Sequence, residues 1–141
     1  MQRLKLPAVM DNLDQMIDFV LDALEEEEFA GKEKFKSKLR LACEEAMVNI
    51  IHYAYGDEVG DIEIVYEFIG EEKKLVLKLI DAGVAFNPLK EDEPDVDVAV
   101  EERAIGGLGI YMVKQVMDEV QYKREEGKNI LILTKDLSKI S

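Results

Sequence analysis

Three glycines crowd the opening of IGGLGIYMVKQVMDEV, residues 105–120, where a helical pattern begins. Glycine is about 1 kcal/mol worse than alanine inside a helix, so Gly106, Gly107 and Gly109 need a reason. Either the backbone requires positive φ, or a ligand must approach it closely. The second reading implies anion chemistry, because free N–H groups at a helix start attract phosphate or carboxylate. Two other stretches carry polar groups in suggestive places. In LIDAGVAFNP, residues 79–88, an apolar strand ends in Asp81 and is followed by Gly83, Ala85 and Phe86. A carboxylate there can accept from a buried base or amide, and Gly83 would admit a flat ring beside bare backbone. In EEAMVNIIHYAYG, residues 44–56, Glu45, Asn49 and His52 stand at i, i+4 and i+7 and share one helical face. Taken singly, each has a plain alternative: a glycine-shaped turn, a turn after a strand, and an ordinary polar helix surface.

The elements that must hold these residues are legible from periodicity. Leu13, Met16, Ile17, Val20 and Leu24 follow helical spacing and predict an amphipathic helix from Asp11 to about Ala30. Its last turn carries four consecutive glutamates that oppose the helix dipole, so fraying is expected near Glu27, with Gly31 as C-cap. A second helix is predicted from about Lys32 to Tyr55, burying Phe35, Leu39, Ala42, Cys43, Ala46, Met47 and Ile50. Gly56 stops it. DIEIVYEF (61–68) and KLVLKLI (74–80) predict an antiparallel hairpin. EVQYKRE and NILILTKDL predict a second one across EGK, after a helix over 107–119. Residues 3–8 read as an edge strand ended by Pro7. Helices on one side and mostly antiparallel strands on the other make a two-layer α+β sandwich.

Composition narrows the function. A chain of 141 residues, 48% of them apolar, suits one domain spanning 1–141. A net charge of −13 argues against a nucleic-acid backbone binder, which needs Lys and Arg to neutralise phosphates. It favours a basic protein surface as partner. The single Cys43 excludes an internal disulfide and a cysteine-rich zinc site. One histidine, His52, argues against histidine-based metal catalysis or a Ser-His-Asp triad. No bilayer-length apolar run or signal peptide is apparent, so a cytoplasmic location is expected. Residues from about 87 to 106 form an irregular stretch with seven acids between Glu91 and Glu102. Long structureless loops in compact domains are often lids, while the acidic run by itself reads equally as a solvated, mobile loop. A magnesium ion, the glycine amides and Arg103 would offset the repulsion between this stretch and a triphosphate.

In order along the chain, a Glu-x-x-x-Asn helix, a strand-terminal Asp-x-Gly, a lid and a Gly-x-Gly helix start resemble the ATP-binding fold of gyrase B, Hsp90, histidine kinases and MutL. The sequence is most similar to the small anti-sigma-factor serine kinases, with EEAMVNIIHYAYG, DAGVAFNP and RAIGGLGIYMVKQVMDEVQY carrying the likeness. The resemblance implies a Bergerat-type fold with a mixed, mostly antiparallel sheet, and ATP and Mg²⁺ as cofactors. It implies Glu45 as general base, Asn49 as the magnesium ligand and His52 as a phosphate contact. Asp81 would accept from the adenine amino group, with Gly83 beneath the ring, Ala85 where many relatives have a second glycine, and Thr134 supporting Asp81 from the last strand. Gly106, Gly107, Leu108 and Gly109 would bring backbone amides to the phosphates, beside Arg103. The partners implied are a sigma factor and a STAS-class anti-anti-sigma protein, and the assembly a homodimer to which the edge strand could contribute. Relatives with similar motifs also work as ATP-gated binding modules without kinase activity.

Overall fold

A computed structural model describes residues 1–70, 73–90 and 107–140. In chain order it holds β1 (Gln2–Pro7), α1 (Leu13–Asp22), α2 (Lys32–Tyr53), β2 (Asp61–Ile69), β3 (Lys74–Asp81), α3 (Gly107–Val116), β4 (Glu119–Glu125) and β5 (Lys128–Asp136). The lid expectation falls mainly on residues 91–106, outside the described residues; just before them, Pro88–Lys90 forms a 3-10 turn.

The strands form one sheet in the order β1-β2-β3-β5-β4. Every pairing is antiparallel, so the expected mixed sheet is in fact uniformly antiparallel among the described strands. The period-2 pattern chooses its buried face. Ile62 and Ile64 of β2, Leu75, Leu77 and Leu79 of β3, and Leu131 and Leu133 of β5 point to one side and are buried. Their neighbours Glu63, Lys78 and Ile132 fall on the other side, where they are only half-buried. The inward row packs against Met16, Ile17 and Val20 of α1, Leu39, Cys43 and Met47 of α2, and Val113 of α3. Fully burying a side chain of this size stabilises the fold by about 1.5–3 kcal/mol, and this contact row joins the two layers.

Helix ends differ from expectation for electrostatic and steric reasons. α1 stops at Asp22, short of Ala30, and the chain continues in tighter turns with Leu24 N–H donating to Leu21 and Glu27 N–H to Leu24. Leu24 stays fully buried while the glutamates leave the helix end for lysines: Glu25 pairs with Lys36, Glu28 with Lys32 at 3.3 Å and Glu27 with Lys73 at 3.4 Å. Gly31, expected to cap α1, instead opens α2, with φ of 77° that a side chain would strain. α2 ends at Tyr53, two residues early, and α3 ends at Val116 rather than 119. Ile50, expected in the buried stripe, is only half-buried. There the stripe passes from the sheet core to the wall of a cleft.

Candidate nucleotide site

Between the C-terminal half of α2, the start of α3, the end of β3 and the start of β5 lies a cleft open to solvent. Its walls are apolar. Ala46 and Ile50 face it from α2, Ile110 from α3, Leu79 and Leu131 from the sheet, and Val84 and Phe86 from the loop after β3. Its polar groups are few: Asn49 and Tyr53 on α2, Asp81 at the end of β3, Tyr122 on β4 and Asn129 on β5. A mostly apolar pocket with a small number of placed polar groups is the usual form of a small-molecule site.

Asp81 is only 6% exposed. Its Oδ1 accepts from the Gly83 amide at 2.9 Å and from Asn129 Nδ2 at 2.9 Å. Among the described residues no donor reaches Oδ2, and Asp81 is one of the few polar residues lining the cleft. Asn129 is itself committed on every side. Its second amide proton goes to the Val84 carbonyl at 2.8 Å, while its oxygen accepts from Tyr122 Oη at 2.5 Å and the Phe86 amide at 3.3 Å. A buried side chain with all its hydrogen bonds made is held in one orientation. Asn129 therefore fixes both the carboxylate and the loop that walls the cleft.

The far side of that loop is tied as firmly. Tyr55 Oη donates to the Asp61 carbonyl at 2.6 Å and accepts from the Ala82 amide at 2.8 Å, joining the end of α2 to both strands of the hairpin. Burial raises its hydroxyl pKa above the ordinary value, with the Asp81 carboxylate adding to the effect and the Ala82 N–H opposing it. Gly60 leaves room for that ring, since a Cβ there would stand 2.0 Å from it. Arg124 Nη1 donates to the Gly83 carbonyl at 2.8 Å.

The expected site residues stand differently toward the cleft. Asn49 and Asp81 meet in the cleft. Glu45 and His52 share Asn49's helix face, half-buried and exposed respectively, and neither lines the cleft. Gly107, Leu108 and Gly109 form the first turn of α3, and Ile110 one residue later reaches the cleft wall. Arg103 and Gly106 lie outside the described residues. Ala85 is exposed and does not line the cleft.

One expectation is corrected by geometry. Thr134 does not support Asp81: it lies opposite Val76 and Glu119, near the other end of β5. The residue opposite Asp81 is Asn129, because the antiparallel register matches the end of β3 with the start of β5. Gly83 sits between the lining residues Asp81 and Val84, and its bareness has a further cause. A Cβ there would stand 2.1 Å from the Ala54 carbonyl oxygen, so its bareness serves the approach of the loop to the end of α2. The Val84 amide then donates to that same carbonyl at 2.9 Å. Asn129 escaped the sequence reading, although one signal was present. Asn is depleted in strands, and this one occupies the first inward position of a strand whose next inward residues are Leu131 and Leu133.

Comparison with known proteins agrees with this arrangement. The histidine kinase-like ATPase domain pattern matches residues 6–135. The chain is 34% identical over 98 residues to the serine-protein kinase RsbW of Bacillus mycoides (strain KBAB4). It is 35% identical over 98 residues to RsbW of Bacillus thuringiensis (strain Al Hakam). Each alignment covers 67% of this chain and 60% of the relative, so the match spans less than two thirds of those proteins. Among solved structures, the RsbU and RsbW domains of Rv1364c from Mycobacterium tuberculosis superpose with a TM-score of 0.66 at 16% identity, covering 100% of this chain and 34% of that one. The histidine kinase domain from Erythrobacter litoralis EL346 superposes with a TM-score of 0.52 at 15% identity, covering 89% and 61%. With a pattern that runs through nearly every element described above, the chain belongs to the histidine kinase-like ATPase domain family.

Proposed function

We propose that this chain is an ATP-dependent serine-protein kinase that binds a sigma factor and phosphorylates a serine of a STAS-class anti-anti-sigma protein. One observation carries the nucleotide reading: a buried Asp81, with one carboxylate oxygen that no donor reaches among the described residues, lines a mostly apolar cleft. An adenine amino group suits that oxygen, and the Ile50, Leu79 and Ile110 walls suit the ring. Asn49 would hold magnesium. Among the described residues no cluster of three or more His, Cys, Asp or Glu side chains offers a metal cage. The ion would share phosphate oxygens and water with this amide oxygen, in keeping with its reluctance to dehydrate.

In this reading the amides of Gly107, Leu108 and Gly109 receive phosphate oxygens at the start of α3, with Gly106, Arg103 and His52 beside them. Glu45, one turn before Asn49, takes the proton of the attacking serine hydroxyl. The rest of the catalysis is positioning and charge stabilisation of the transferred phosphoryl group. The chain acts as one ATP-binding domain with a lid at about 87–106, works in the cytoplasm and forms a homodimer to which the edge strand β1 contributes. No helix among the described residues is long and apolar enough to cross a membrane.

A second reading is an ATP-gated binding protein without kinase activity, and Glu45's position outside the cleft lining favours it. Phosphotransfer from γ-labelled Mg-ATP to STAS-class proteins, with Glu45→Ala beside the unsubstituted chain, separates the two. Label that appears only with intact Glu45 supports the kinase. Bound ATP without label supports the gated binder. Equal transfer by the variant removes Glu45 as the base.

A further inference from the structure

A second cleft lies at the opposite end of α2, lined by Lys34, Lys38, Phe35, Lys135, Lys139 and Gln115, among others. Its lining holds four lysines and no acid, in a chain whose net charge is −13. These lysines come from remote places: two from the first turns of α2, one from β5 and one from the 3-10 turn Leu137–Lys139. Lys135 pairs with Asp118 at 3.3 Å and lies 5.7 Å from the centre of the Phe35 ring, which fixes its position. Lys139 pairs with Asp136 at 3.8 Å. Lys34 and Lys38 are exposed, and among the described residues neither enters an ion pair. Gly31, the uncapped start of α2, lines the same cleft and adds the positive end of a 22-residue helix.

We propose that this lysine-lined cleft docks an acidic peptide segment of a partner protein. Charge complementarity selects the occupant. Long-range repulsion from the acidic body fades beyond a Debye length of about 8 Å at physiological salt, so the local lysines decide what binds. Apolar surface from Phe35, Val116 and Ile140 adds contact for the stems of a peptide rather than for a bare ion.

The placement also specifies which partner, a step that rests on the kinase reading above. Lys34, Lys38, Leu41, Glu45 and Asn49 follow at i, i+4, i+7, i+11 and i+15 along one face of α2. At 1.5 Å rise per residue, Glu45 stands about 10 Å from Lys38 and about 16 Å from Lys34 along the axis. An extended peptide covers that span in roughly three to five residues. Exposed Leu41 lies between them on the same face. The occupant is therefore an acidic run three to five positions from the phosphoacceptor serine.

The test is fluorescence anisotropy of fluorescein-labelled hexaglutamate titrated with the intact chain at about 0.15 M salt, near the physiological regime. The expected result is saturable binding that weakens at least tenfold in Lys34→Glu/Lys38→Glu. The pair Lys123→Glu/Lys128→Glu changes net charge equally on the open face of the sheet and should shift affinity less than twofold. Equal losses in both pairs, or no saturable binding, overturn the proposal. Displacement by inorganic phosphate at concentrations as low as unlabelled hexaglutamate would reduce the cleft to a simple anion site and overturn it too. Circular dichroism and ATP binding report whether each variant keeps its fold. In the phosphotransfer assay, Lys34→Glu/Lys38→Glu should raise KM for an acidic serine substrate at least fivefold and leave KM for ATP unchanged. If the unsubstituted chain labels no serine substrate, the kinase reading fails while the hexaglutamate titration still decides the cleft.

Discussion

Replacing Asn129 by aspartate tests the central hydrogen-bond unit with almost no change in shape. In Asn129→Asp the introduced carboxyl faces Asp81 across the 2.9 Å now spanned by an amide proton. Two unit charges at that distance repel by roughly 6 kcal/mol at an effective dielectric constant near 20. The alternative is to keep a proton between them, about three units above the ordinary pKa, at about 4 kcal/mol at pH 7. Protonation is cheaper and wins. Losing the second N–H donor to the Val84 carbonyl adds about 1 kcal/mol independent of pH. The native state then binds a proton that the unfolded state releases above its ordinary carboxyl pKa, so stability is lost as pH rises. The gap to the unsubstituted protein should be about 5 kcal/mol at pH 7 and about 2–3 kcal/mol at pH 5, a slope of about 1.4 kcal/mol per pH unit. Urea unfolding of both proteins at several pH values measures it, because groups common to both cancel in the difference. Asn129→Ala is the control, with a loss of about 2–3 kcal/mol from unpaired buried groups and no added slope. A gap for Asn129→Asp that stays constant between pH 5 and 7 would refute the assigned hydrogen bonding.

Three further outcomes are expected. Gly83→Ala should destabilise by about 2–3 kcal/mol through overpacking, since its Cβ meets Ala54 backbone at 2.1 Å, and urea unfolding measures this; a loss below 0.5 kcal/mol would mean the loop can move away. Asp81→Asn should weaken ATP binding at least tenfold, the effect of losing about 1.4 kcal/mol or more of charge-assisted hydrogen bonding, and an unchanged calorimetric affinity would remove the adenine assignment. The Cys43 thiol, fully buried and pushed up to about 12, should stay unreactive toward a disulfide reagent at pH 8 until the chain is unfolded in urea. Rapid labelling of the native protein would show that α2 opens locally.

Period and punctuation made most of the elements legible. The i, i+3, i+4 spacing of Leu13, Met16, Ile17 and Val20 could only bury one helical stripe, and the alternation in DIEIVYEF could only bury one face of a strand. The helical stripe is buried as expected; in the strand Ile62 and Ile64 are buried, while Tyr66 and Phe68 are half-buried and Val65 is buried on the opposite face. Helix ends were less legible, because they depend on partners elsewhere: the glutamates after Asp22 find Lys36, Lys32 and Lys73, two of them on another helix and one beside a strand. The motif residues Asn49 and Asp81 were visible because each is chemically out of place in its element, an amide in a helix interior and a carboxylate ending an apolar strand.

What surrounds them was decided only in three dimensions. Asn129 rather than Thr134 meets Asp81 because antiparallel register, a property of two paired strands, sets residue 81 opposite residue 129. Gly83 is bare for the sake of Ala54, 29 positions earlier in the chain. The sequence by itself determined an acidic α+β chain carrying a nucleotide-site signature, since composition and periodicity are sums and repeats along one dimension. Only the tertiary structure gathered Lys34, Lys38, Lys135 and Lys139 into a basic cleft on that acidic body. Net charge adds up over the whole chain, whereas recognition depends on which charges folding brings within a few ångströms of one another.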